Sequence, residues 1–227
     1  MHTFQSQPLQ QSLTAFITQH HQYNEAYGLF PGNEIRFSTQ PVSPQIDERI
    51  SLSPELTYFY THCKINDPAA EGTKRMKHAT IEIGDGPFMD FPAPEELYRQ
   101  QLGYRWITTA DPNTLVESPH WPEHHVVIAN YNSDPIIVDT SAPGSPVYGA
   151  VEGGQAKLLA PSLADFFQTL SILIEAALAF DGQITDEDTY EVKPDYVTLI
   201  KERLHVVLEE QAIHHLLDYL SMSEWSS

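Results

Sequence analysis

The stretch "VVIANYNSDPIIVDTSAPGSPVYG", Val126 to Gly149, decides how the chain is read. Two β-branched runs flank a polar knot, with side-chain oxygens spaced two apart at Asn130, Asn132 and Asp134. That spacing is found in calcium loops. An EF-hand counted from Asn130 needs glycine at its sixth position and a bidentate acid at its twelfth, where this chain has Pro135 and Ser141. Asn and Asp also bend a chain by bonding to their own backbone. The stretch therefore predicts a β-hairpin, its tip at Asn132-Ser133.

Outward from the hairpin, "TIEIG", "YRWITT" and "PVYGAV" are further short strand candidates, with a brief "PEELYRQQ" helix in a Pro-rich loop. Stronger helices lie on either side. Residues 53–64 open with Ser53-Pro54, a cap followed by the preset φ of a first helical residue, and carry Leu56, Phe59, Tyr60 and Cys63 on one stripe. On that stripe Cys63 is a small buried side chain rather than a nucleophile. Residues 162–179 open with Ser162 and Asp165, a shortened capping box, and repeat Phe166, Phe167, Leu170 and Ile174 at helical spacing. Residues 6–21 form a first helix with Ser6 as its cap, and "GLFPGNEIRFSTQPVSPQ" reads as a loop-rich connector.

The expected fold is α+β: a mixed, mostly antiparallel sheet with helices packed on it. It divides into an N-terminal helical extension (1–44), a central domain (45–180) and an acidic C-terminal helical extension (181–227). The last segment holds eleven acidic and three basic residues, yet Val197, Ile200, Leu204, Leu208, Ile213 and Leu217 form an apolar stripe that needs a packing partner. Phe59, Ile128, Ile137, Val147, Phe166 and Leu170 are the expected core.

With 31 acidic and 12 basic residues the formal charge is −19. Such a surface repels nucleic acid and anionic lipid and steers basic partners. One cysteine excludes an internal disulfide. The start "MHTFQSQPLQQSLTAF" lacks a basic, then apolar, leader, and no apolar run approaches membrane-spanning length. A cytoplasmic protein is expected.

Catalytic motifs are sparse. "HWPEH" (120–124) matches the inverted zinc-protease pattern, which requires a helix, but Pro122 would break it. A hydrolase using His120, Glu123 and His124 is thus the weaker alternative. His20-His21 and His214-His215 are neighbours about 100° apart on predicted helices, which makes no clamp. No phosphate loop, dinucleotide turn or Gly-x-Ser-x-Gly elbow occurs. Lys74, Arg75 and Lys77 form the one basic cluster. No catalytic residue, metal or cofactor is expected.

Taken together, the "LSPELTYFY" helix and the run "IIVDT…GSPVYGAV…KLLAPSLADFFQTL" resemble the SUKH superfamily. The resemblance covers roughly residues 45–180 and rests on Asp139, Pro146-Val147-Tyr148, and Ser162 opening a helix with Phe166 and Phe167. Departures are "KINDP", where the family often has Asn-Gly, and Ser133-Asp134-Pro135, where it often has glycine. The family includes a fungal regulator of cell-wall glucan synthesis and many bacterial immunity proteins against polymorphic toxins. The resemblance implies a non-enzymatic protein binder, with a basic toxin domain as the kind of partner, or else a regulatory scaffold in envelope or signalling processes. Trp121, Tyr131, Asn132 and Asp134 are the expected contact residues.

Overall fold

The computed structural model describes residues 4–111 and 113–223. The architecture is α+β. In chain order it runs α1 (Ser6–Ala26), β1 (Glu34–Phe37), α2 (Pro54–His62), β2 (Cys63–Asn66), β3 (His78–Glu82), β4 (Phe88–Pro92) and α3 (Leu97–Gln100). It continues with β5 (Trp106–Thr108), β6 (Leu115–Glu117), β7 (His125–Tyr131), β8 (Asp134–Asp139), β9 (Val147–Gly149) and β10 (Lys157–Ala160). Helices α4 (Leu163–Ala179), α5 (Pro194–Leu204) and α6 (Glu210–Tyr219) follow.

Six strands form one sheet in the order β10-β9-β8-β7-β4-β3, and β1-β2 and β5-β6 are separate pairs. Among the described residues every pairing between these strands is antiparallel. The "YRWITT" segment accordingly supplies β5 to a small ribbon, not to the main sheet.

At the β7–β8 tip, Tyr131 pairs with Asp134, and Asn132 and Ser133 between them have φ of 50° and 73°. Two consecutive left-handed residues define the primed turn whose twist suits a two-residue hairpin. The polar knot is a turn. Further along β7 the register slips between Val127 and Ala129, leaving Ile128 as an extra residue. That bulge turns Val126, Ile128, Ala129 and Tyr131 all toward the helices, breaking strict alternation. Val127 faces the other way and joins Ile137 and Ala150 in a small second cluster, so the expected core residue Ile137 is buried behind the sheet.

The main core lies between the sheet and the helices. Phe167 of α4 sits at its centre, with ring centroids 5.2 Å from Phe16, 5.1 Å from Phe59 and 6.2 Å from Phe91. One side chain thereby ties α1, α2 and β4 to α4. The same continuous core takes in Leu9, Leu13 and Phe16 from the N-terminal helix and Tyr196, Ile200, Leu204, Ile213 and Leu217 from the C-terminal pair. Both terminal segments are parts of one hydrophobic body. The C-terminal stripe is split into two helices by a turn at residues 205–209.

Capping chemistry follows the sequence in two of three helices. Ser53 Oγ accepts from Leu56 N (3.1 Å), and Ser162 Oγ accepts from Asp165 N (3.0 Å). Asp165 is too short to reach back to the backbone and instead accepts the Ser162 hydroxyl at 2.6 Å. Ser6 is not the cap of α1; it is the first helical residue, behind Gln5. Cys63 also departs from expectation: α2 ends at His62, and Cys63 opens β2, buried.

Side chains close both edges of the main sheet. At β3 the Asn33 amide donates to His78 O (3.0 Å) and accepts from Thr80 N (2.5 Å), while His78 N reaches Asp67 (3.3 Å). At β10 the edge is covered by α6, with His215 Nδ1 3.2 Å from Leu158 O.

Candidate functional site

The segment linking α1 to β1 reverses direction at Gly28, where a Cβ would fall 2.1 Å from Asn24 Oδ1. It is then pinned along its length. Leu29 N donates to both oxygens of Glu82 (3.3 and 3.0 Å), Asn66 Nδ2 donates to Gly32 O, and Asn24 Nδ2 donates to Asn33 O (2.9 Å). Burial pushes the Glu82 carboxyl up from its ordinary range, with the Leu29 N–H opposing. Despite this anchoring, Leu29 is 77% and Phe30 48% exposed, and Phe88 of β4 beside them is 47% exposed. These apolar side chains are thus held in water by a fixed backbone, with the cost of ordering that backbone already met.

These three side chains wall a cleft of about 380 Å³. Its floor is the sheet face turned away from the helices, at His78, Thr80 and Asp90. The Asp90 carboxylate accepts the Thr80 hydroxyl at 2.7 Å, and His78 Nε2 lies 3.5 Å from it. On one flank Arg75 makes two bonds to Asp67, at 3.0 and 2.9 Å. Burial would raise the Asp67 carboxyl, but the Arg75 guanidinium and the His78 N–H hold it below its usual range. Thr80 is the one hydroxyl side chain among the lining residues, and it donates to the Asp90 carboxylate.

Trp121 belongs to a second feature on the same sheet face. It packs on Tyr104 (centroids 5.5 Å) and its Nε1 donates to His125 O (2.9 Å). His125 in turn stacks on Tyr148 at 5.8 Å, and burial lowers its pKa from the ordinary histidine value. Of the four expected contact residues, Trp121 reaches the turn through Tyr104, whose hydroxyl donates to Ser133 O at 2.8 Å, while Tyr131 lies apart from the others. Asn132 is exposed at the turn, and Asp134 is spent on structure, its carboxylate accepting from Glu152 N (2.8 Å) and its carbonyl from Tyr219 Oη (2.8 Å). Tyr131 lies on the helix side, 8% exposed, donating to Leu220 O at 3.2 Å. The bulge at Ile128 is what turned it inward.

His120, Glu123 and His124 are exposed in a bend, without the helix their motif requires. Among the described residues no group of three His, Cys, Asp or Glu side chains is arranged to hold a metal ion. No helix among them is long and apolar enough to cross a membrane. Comparison with protein-family models, curated proteins and solved structures gives no match. The cleft itself was missed in the sequence. Its signal was "GLFPG" and "GPFMDFP", apolar residues between Gly and Pro with no periodicity to bury them.

Proposed function

We propose that this chain is a non-enzymatic, cytoplasmic protein-binding domain, and specifically a bacterial immunity protein that occludes the active surface of a basic toxin domain. The observation that carries the binding role is the pinned 28–33 segment presenting Leu29 and Phe30 to solvent beside Phe88. The formal charge of −19 supports a basic partner, since complementary fields raise encounter rates and suppress wrong partners. The immunity class comes from the SUKH resemblance alone. The exposed, unclustered His120, Glu123 and His124 lend no support to a hydrolase.

The test is co-production with a toxin-like domain encoded beside this gene. Cells survive only when the chain is present, and the pair elutes as one complex that weakens as salt rises. Killing regardless of the chain, with no complex on gel filtration, overturns the immunity reading and leaves a regulatory scaffold in its place.

A further inference from the structure

We infer that the cleft between residues 29–31 and the β3–β4 face seats a lysine or arginine side chain of the protein partner. This rests on the binding role proposed above and names what that surface reads.

Charge comes first. The formally charged groups facing the cleft are Asp67, Arg75 and Asp90, two carboxylates and one guanidinium, which leaves one excess negative charge. The Asp67 side chain is fully buried and both its oxygens accept from Arg75 Nη2, so these two charges offset one another although the Arg75 side chain stays 45% exposed. Asp90 is different. It accepts one hydroxyl, faces His78 at 3.5 Å, and its side chain is 40% exposed. An apolar occupant would strip water from this carboxylate and leave it short of partners, a large penalty for a charged group. An acidic occupant would add repulsion. A cation offsets both.

The walls fit the same occupant. Leu29, Phe30 and Phe88 supply apolar surface for the alkyl stem of a lysine or arginine. About 380 Å³ lies near the lower end for small-ligand pockets, a size that suits one inserted side chain. The fixed 28–33 backbone means the pocket exists before the partner arrives.

The test uses the full chain, ¹⁵N-labelled, titrated with four capped peptides of sequence Gly-Ser-Xaa-Ser-Gly, where Xaa is Arg, Lys, Leu or Glu. The Arg and Lys peptides give saturable shifts at the amides of Leu29, Phe30, Thr80, Phe88 and Asp90; the Leu and Glu peptides do not. Asp90→Asn and Phe88→Ala each weaken the basic peptides tenfold or more while amides elsewhere keep their positions. Phe30→Ala serves if either variant misfolds. Equal response to the Leu or Glu peptide, shifts mapping elsewhere, or no response to any peptide overturns the inference. The two readings separate cleanly. A toxin-domain complex that Asp90→Asn and Phe88→Ala leave unchanged removes the cleft but keeps the binding role. Peptide binding without any toxin complex keeps the cleft and removes the immunity role.

Discussion

Gln101 completes the backbone of Val127. Its Nε2 donates to Val127 O at 2.8 Å, and its Oε1 accepts from Val127 N at 2.8 Å. Strands β4 and β7 meet at one residue pair, Asp90 with Asn130, so beyond it β7 has no strand to pair with on that side. The buried carboxamide takes that strand's place, and its Nε2 also reaches Leu97 O at 2.9 Å.

Gln101→Ala leaves two buried backbone groups unpaired, at roughly 1–3 kcal/mol each. Urea unfolding should show a loss of roughly 2–6 kcal/mol, whereas Gln10→Ala on the exposed face of α1 stays within about 0.5 kcal/mol. Equal midpoints for the two variants would remove the structural role of this amide.

His20 is 1% exposed, stacked on Phe16, with neither ring nitrogen in hydrogen-bond geometry. Burial lowers its pKa from 6.5 to about 4, opposed by Glu34 and the Thr80 backbone. The unfolded chain therefore takes up this proton first as pH falls. Stability from this site is complete above pH 6.5 and declines through about pH 4, by roughly 3 kcal/mol in all. His20→Phe should flatten that part of the profile. Parallel pH profiles for the two proteins would contradict it.

Gly149 is where α6 touches the sheet. A Cβ there would lie 2.6 Å from the Tyr219 ring and 2.9 Å from Leu159 Cδ1. Gly149→Ala should cost about 1–3 kcal/mol by overpacking and speed proteolysis within α6. Adding Tyr219→Ala should restore part of the loss relative to Tyr219→Ala alone. Strict additivity would place the strain elsewhere.

Burial pushes the Cys63 thiol up to about 12. At pH 8 only about one thiol in ten thousand is then ionised. Labelling by a disulfide reagent should be slow in the native protein and accelerate with urea in step with unfolding. Rapid native labelling would show that the thiol is open to solvent.

The hairpin, the six-stranded sheet's central strands and helices α2 and α4 were legible because Asn132-Ser133, the β-branched runs, Ser53-Pro54 and the Phe166-Phe167 face each carry a local signal. Strand β4 was not: "FMDFP" mixes Asp90 and Pro92 into its run and becomes a strand only through its neighbours. Strand β1 hid within a Pro-rich connector, since its partner β2 lies beyond α2. Tyr131 was misplaced because a bulge reverses alternation without marking the sequence. The cleft draws on residues 29–31, 67–75 and 78–90, three segments that no local pattern joins.

The closed sheet edges have a bearing on evolution. Asn33 and Asp67 take up His78 N, His78 O and Thr80 N, groups that a visiting strand would use at β3, and α6 packs over β10 with His215 against Leu158 O. Strand addition reads a partner mostly through its main chain, which is common to all proteins. With that route blocked on the main sheet, the proposed recognition would rest on individual side chains of its open face. Under the proposed binding role, a few substitutions at such positions would change the partner while the scaffold stays the same.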